Sequence, residues 1–285
     1  MSFSRFSALA LSVMAGGAYY SWWDKFSLKS VNNVERCQRF LEKGRCSDVS
    51  SPSSFFSIHP SPLTEWDYNW DNREPIHVVD PVAYEEADSV GRVNMLKEAT
   101  PIAKRNIILI RHGQYVTDKG SPNFLSLTPL GKEQAKRVGE RLASSGLKFD
   151  SMVMSTMKRA EETANLILNK LPPISTKSDP LLEEGAPFPP EPPCKHWRSR
   201  IEAAFRKYIH RASEQQTKDS WELIVCHANV IRYFVCRALQ FPPEGWLRIA
   251  LGHCSLTWLV VYPDGIVSVK SLGDIGHLPK DQVSF

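Results

Sequence analysis

The chain has 285 residues, 42% of them hydrophobic and 23% charged, with a formal net charge of +4. That is enough length and apolar content for one large packed domain or two small ones, and the slight basic excess makes no case for nucleic acid as a partner. Six cysteines stand at 37, 46, 194, 226, 236 and 254, with no Cys-x-x-Cys pair and no zinc-finger spacing. Cys226 and Cys236 lie in apolar runs and read as buried thiols in a compartment where disulfides are not needed, with a Cys37–Cys46 bridge as the alternative.

From Phe6 to Trp23 no charge interrupts the sequence, and about 18 uncharged residues is near the lower limit for a membrane-spanning helix. Tyr19, Tyr20, Trp22 and Trp23 suit an interfacial aromatic belt. Residues 1–25 are therefore expected to be a membrane anchor, with a cleaved secretory signal as the rival reading. Residues 26–103 are polar, punctuated by Ser51-Pro52 and Pro60-Ser61-Pro62, and are expected to be a mostly disordered linker. Inside it Trp66-Asp67-Tyr68-Asn69-Trp70-Asp71 repeats Trp-Asp four residues apart. Two tryptophans in a polar stretch need a surface to bury them, either another subunit's or that of the chain's own domain.

The compact domain is expected over 104–285. Asn106-Ile107-Ile108-Leu109-Ile110 predicts a buried strand that delivers Arg111 and His112 at its carboxyl end, followed at once by Gly113. Thr128 and Pro129 predict a helix start, as N-cap and first helical residue, with apolar spacing through Ala135, Val138 and Leu142. Met152-Val153-Met154 predicts a second strand, and Ser155 or Thr156 the cap of a helix from about Met157 with Ala160, Ala164, Ile167 and Leu168 on its inner side. Residues 172–193 are rich in proline and are expected to loop. A helix over about 196–213 then precedes the strand Glu222-Leu223-Ile224-Val225-Cys226, which ends directly in His227. A helix over 230–239 and two closing strands around Pro263-Asp264-Gly265 complete the chain. Strands alternating with helices predict an α/β fold with a mainly parallel sheet.

In such sheets ligands bind beyond the carboxyl ends of the strands, where His112 and His227 both fall. Arg159 falls in a helix's first turn, where backbone N–H groups also favour an anion. Glu183 and Glu184 stand in the proline-rich loop. Two arginines, two histidines and one acid are sufficient to hold phosphoryl oxygens, attack phosphorus and move a proton. Gln114 and Asn229 either touch substrate or hold loops, and Tyr115 either lines the cleft or packs in the core. Lys158 is expected to be solvated, and His196, His210 and His253 to be surface or packing residues.

Leu109-Ile110-Arg111-His112-Gly113, Leu127-Thr128-Pro129-Leu130-Gly131, Ser155-Thr156-Met157-Lys158-Arg159-Ala160, Glu184-Gly185 and His227-Ala228-Asn229-Val230-Ile231-Arg232 occur in one order. Together they resemble the histidine phosphatase superfamily, which includes the phosphoglycerate mutases. The resemblance is nearer to a mitochondrial protein-phosphatase branch, through residues 66–71, Leu182-Glu183-Glu184-Gly185-Ala186-Pro187 and Phe241-Pro242-Pro243-Glu244-Gly245-Trp246-Leu247-Arg248. It implies a three-layer αβα domain with a mostly parallel central sheet, preceded by a membrane anchor and a flexible linker. It assigns His112 as nucleophile, Arg111, Arg159 and His227 as phosphate-binding residues, and Glu184 as proton donor, with Glu183 the other candidate acid. It implies phosphoprotein substrates, no cofactor or metal, no nucleic acid, and a place in a mitochondrial membrane, the outer one favoured. It also implies self-association into dimers and larger assemblies through Trp66, Asp67, Asn69, Trp70 and Asp71.

Two departures stand out. Gly113 follows the wider superfamily, whereas the mitochondrial branch carries Ser. An acidic Glu-Ser-Gly-Glu adaptor motif of some members is replaced by Glu85-Glu86-Ala87-Asp88-Ser89-Val90-Gly91. A small-molecule phosphatase or mutase on the same site, and a membrane scaffold acting through Trp66 and Trp70, are the alternative functions.

Overall fold

The computed structural model describes residues 65–117, 125–186 and 198–285. The anchor over 1–25, the Cys37–Cys46 alternative, His196 and much of the proline-rich loop lie outside these residues. Among the described residues no helix is long and apolar enough to cross a membrane.

Six strands form one sheet: β1 (Arg105–Arg111), β2 (Ser151–Met154), β3 (Ser175–Ser178), β4 (Ser220–Cys226), β5 (Leu256–Val261) and β6 (Val267–Asp274). Their order across the sheet is β3-β2-β4-β1-β5-β6. The pairs from β3 to β1 are parallel, and β5 and β6 close the edge antiparallel. The sheet is thus mixed, parallel through its centre and antiparallel at one side. β3 (Ser-Thr-Lys-Ser) is exposed throughout, falls inside the expected proline-rich loop and carries no apolar pattern; it is held by backbone pairing to β2 alone.

Successive side chains of a strand point to opposite faces, and β1 divides its apolar residues accordingly. Ile107 and Leu109 pack with α6 (Arg198–Tyr208) and α7 (Ala228–Ala238), through Ile201, Phe205, Ile231 and Phe234 among others. Ile108 and Ile110 pack with α4 (Pro129–Ser144) and α5 (Lys158–Leu168), through Val138, Leu142, Ala164 and Ile167. Helices cover both faces, as expected of the three-layer αβα arrangement. Thr128 caps α4 as its sequence signalled, its Oγ1 accepting from the Gly131 N–H at 3.0 Å. The expected cap of α5 is different. Met157 holds the N-cap position without a side-chain bond; Ser155 Oγ accepts from the Met157 N–H at 3.3 Å and also meets His227, and Thr156 Oγ1 donates to Glu183.

Residues 65–103, expected as linker, carry three short helices, α1 (Pro75–Val78), α2 (Pro81–Glu86) and α3 (Ser89–Glu98). None of the three buries a residue; side-chain caps hold α2 and α3, Asp80 accepting from Val82 and Ala83 and Asp88 from Gly91, while α1 has no side-chain cap. The Asp88-Ser89 stretch that replaces the acidic adaptor motif is spent on this cap.

Of the two surfaces open to the 66–71 segment, it lies here on the chain's own domain. Trp70 is buried against Phe205, ring centroids 5.7 Å apart, and its Nε1 donates to the Gly265 carbonyl at 2.7 Å. Asp71 and Arg211 form a buried pair at 2.6 Å, each side chain 2% exposed. Asp67 exchanges two bonds with the Gln240 side chain, and the Tyr68 carbonyl accepts from Arg211. Replacing Asp71 by Ala leaves Arg211 buried with its charge uncompensated. Urea denaturation is expected to show a loss of about 3–5 kcal/mol; a change below about 1 kcal/mol would mean that water reaches the pair in solution.

Candidate active site

The parallel register of β1 and β4 sets Arg111 against Cys226, so the next residue of each strand is a histidine. The His112 N–H donates to the Cys226 carbonyl at 3.0 Å, and the His112 and His227 rings lie 5.0 Å apart. β2 lies on the other side of β4, and the residue following it, Ser155, places its Oγ 2.8 Å from His227 Nε2. Both imidazoles are buried, at 2% and 0% exposure.

His112 Nδ1 lies 2.8 Å from the Gly113 carbonyl. A carbonyl only accepts, so Nδ1 carries the proton and Nε2 carries the lone pair. Arg159 Nε donates to that Nε2 at 3.2 Å. Burial, reinforced by His227 and Arg159, holds the His112 pKa well below the usual imidazole range. Burial, with Arg159, Arg200 and Arg111, does the same to His227. Nε2 of His112 is therefore a neutral nucleophile next to a fixed positive charge.

Arg111 donates through one terminal nitrogen to the Leu251 carbonyl and through the other to His253 Nε2, the latter at 3.0 Å. The Arg159 guanidinium lies 4.7 Å from the Tyr115 ring centroid, and that ring stands edge-on to His112 at 5.1 Å. Among the described residues, Arg111 Nε and His227 Nδ1 are buried without a hydrogen-bond partner.

Glu184 is half-buried near the two arginines, and its partial withdrawal from water raises its pKa although Arg159 and Arg111 pull the other way. Glu183 turns aside, its carboxylate accepting from Thr156 Oγ1 at 2.6 Å. Arg200 on α6 clasps the turn that bears both acids, donating to the carbonyls of Pro180, Leu181, Glu183 and Glu184. The site therefore assembles Arg111, His112, Arg159, Glu184 and His227, all five of the sequence candidates. The Gln114 side chain accepts from Thr128 and lines a cavity with Arg111 and His253, and the Asn229 side chain accepts from Arg232 within α7. Lys158 is exposed, and His210 sits outside the site with Nδ1 2.6 Å from the Arg211 carbonyl.

His253 corrects the sequence expectation of a packing role. It is 4% exposed, its ring 5.7 Å from that of His112, and bonded to Arg111. The missed signal is topological. β5 runs antiparallel to β1, so the residues just before β5 arrive at the end where β1 delivers Arg111. Gly113 and Gly131 explain the departure after His112. A Cβ at Gly113 would lie 2.5 Å from the Gly131 carbonyl oxygen, and one at Gly131 would lie 1.9 Å from that of Gln114. Strand end and helix start approach backbone to backbone here, so a serine at 113 requires the loop to move away from α4.

The family profile described as histidine phosphatase superfamily (branch 1) matches residues 107–187 and 183–274. The chain is 57% identical over 235 residues to the Caenorhabditis elegans mitochondrial serine/threonine-protein phosphatase Pgam5, which covers 79% of this chain and 82% of that one. It is 48% identical over 233 residues to the human mitochondrial serine/threonine-protein phosphatase PGAM5, with 77% and 80% covered. Among solved structures, YhfR of Bacillus stearothermophilus aligns with a TM-score of 0.50 at 20% identity, covering 61% of this chain and 98% of that one, a likeness of fold.

The buried imidazoles have a consequence for stability. His253 is pushed down to about 4 by burial and by Arg111, and burial holds His112 and His227 well below the usual imidazole range, whereas the unfolded chain protonates its histidines near pH 6.5. Between these values the unfolded state binds more protons, so acid favours unfolding. The unfolding free energy is expected to fall from pH 6.5 toward pH 4 by up to about 1.4 kcal/mol per unit for each imidazole. The raised carboxyl of Glu184 works in the opposite direction at the acid end. Urea denaturation at pH 7 and pH 5 measures the slope, and a flat profile would contradict burial of neutral rings.

Proposed function

This chain belongs to the histidine phosphatase superfamily, and on that premise we propose that it hydrolyses phosphoserine and phosphothreonine in proteins through a phosphohistidine at His112. The observation that carries the reading is the pairing of an unprotonated His112 Nε2 with Arg159 Nε at 3.2 Å, close to Arg111, His227 and a half-buried Glu184. The substrate class is that named for the worm and human relatives.

In the first half of the reaction the lone pair of His112 Nε2 attacks phosphorus, and the bond from phosphorus to the serine or threonine oxygen breaks. Glu184 gives that oxygen its proton, the step for which a raised pKa fits a carboxyl group. In the second half the Glu184 carboxylate takes a proton from water as the water oxygen attacks the phosphohistidine. Inorganic phosphate leaves with the new P–O bond, and the electron pair of the P–N bond returns to His112. Arg111, Arg159 and His227 offset the charge on the phosphoryl oxygens throughout, the role usually shared with a metal in phosphoryl transfer. Arg111 Nε is a buried donor and His227 Nδ1 a buried ring nitrogen, neither of which has a hydrogen-bond partner within the protein.

We read residues 1–25 as a single-pass anchor in a mitochondrial membrane, the outer one favoured. The relatives' names carry the word mitochondrial, and the run from Phe6 to Trp23 is uncharged. Residues 66–71 serve assembly in the same reading. The seat of Trp70 between Phe205 and Gly265 belongs to the domain, and a segment at the domain's edge can fill its own seat or that of a second copy.

Phosphate release from a phosphothreonine peptide is expected to survive EDTA, to vanish in His112→Ala, and to fall about 10²–10⁴-fold in Glu184→Gln. Turnover of phosphoglycerates without peptide hydrolysis would replace this reading with a mutase or small-molecule phosphatase. Replacing Trp66 and Trp70 together by Ala is expected to lower the particle mass in light scattering and to reduce activity. An unchanged mass would remove residues 66–71 from assembly.

A further inference from the structure

Nothing in the catalytic cycle above uses His253 or Ser284, yet both are built into the site with complete directionality. Arg111 can only donate, so His253 Nε2, 3.0 Å from its terminal nitrogen, must accept. The proton of the ring is then on Nδ1, which donates to Ser284 Oγ at 2.9 Å. The backbone repeats the attachment, the His253 N–H donating to the Ser284 carbonyl at 2.9 Å. Ser284 Oγ also accepts from Gln134 Nε2 at 2.9 Å, and the same Nε2 donates to the Gln282 carbonyl at 2.7 Å. Gln134, wholly buried, turns its Oε1 to the Gln114 N–H, two residues beyond His112. Residues 282–284 are thereby tied to both sides of the His112 loop.

We propose that His253 and Ser284 are positioning residues for the phosphate site, fixing the Arg111 guanidinium through an imidazole whose tautomer Ser284 selects. The proposal rests on the phosphohistidine reading for the role of Arg111, and adds to it residues that touch no substrate. Two contacts, to His253 and to the Leu251 carbonyl, leave the guanidinium a single orientation, with its Nε unconsumed. A side chain of correct charge but free to rotate would hold a phosphoryl oxygen less tightly. His253 is kept neutral by burial and by Arg111, as an acceptor must be.

The test uses inorganic phosphate as the probe, by calorimetric titration and as a competitive inhibitor of peptide hydrolysis. In His253→Leu, phosphate affinity is expected to weaken about tenfold, the scale of one hydrogen bond to a charged group, with KM rising in parallel. His253→Gln places an amide oxygen where Nε2 lies and is expected to restore affinity to within about threefold, while Ser284→Ala falls between the two. A folded His253→Leu with wild-type phosphate affinity overturns the proposal. So does a His253→Gln as weak as His253→Leu, since a packing role would not distinguish acceptor from none. If His253→Leu does not fold, Ser284→Ala decides, because it removes only a hydroxyl; unchanged affinity there also overturns the proposal. A wild type that binds phosphate but releases none from peptide counts against the hydrolase reading alone.

Discussion

The site depends on one alignment, the in-register parallel pairing of β1 with β4. Each strand ends in a polar residue that its own apolar run cannot bury, and the register makes those residues neighbours. A shift of one residue would reverse the faces of the strand and drive Ile108 and Ile110 into the wrong helix layer. The hydrophobic pattern that forms the core is therefore the same pattern that aligns two histidines. The ladder continues past the strands, through the His112 N–H to the Cys226 carbonyl and the Ser155 N–H to the Val225 carbonyl. Catalytic geometry is in this way an extension of sheet geometry.

Around that alignment the protein concentrates cations and neutral rings, with both imidazoles withdrawn from solvent. Burial, reinforced by Arg159 and Arg111, depresses the protonation of His112 and His227, while burial raises that of Glu184. Groups that ordinarily titrate apart are brought toward complementary forms: an imidazole held neutral and a carboxyl that holds its proton more tightly than usual. The division follows from environment, since each side chain alone would be ordinary.

Much of this was legible in the sequence because it is local. An apolar run ending in Arg-His or in His, a Thr-Pro helix start and an acid in a proline-rich loop are all short-range signals. What was not legible is long-range. His253 reaches the site only because β5 is antiparallel to β1, and no pattern near Gly252-His253-Cys254 announces that pairing. β3 is a strand by hydrogen bonding alone, with Ser, Thr and Lys in place of an apolar alternation. Ser155 and Thr156 have the chemistry of helix caps, yet their hydroxyls also meet a nearby imidazole and carboxylate. Residues 65–103 carry helices, two of them held by side-chain caps, and bury none of their helical side chains, so their composition resembles that of a disordered segment.

The tethering of the arginines has a consequence in entropy. Each long cationic side chain has about 2 kcal/mol of rotamer freedom to lose. Here the loss occurs when the chain folds, as Arg111 is fastened to Leu251 and His253 and Arg159 to His112. An arriving phosphoryl group meets an Arg111 that needs no further ordering, while Arg159 has only to release the His112 nitrogen it already touches. The cost falls instead on folding, where the rotamer freedom of both side chains is already lost.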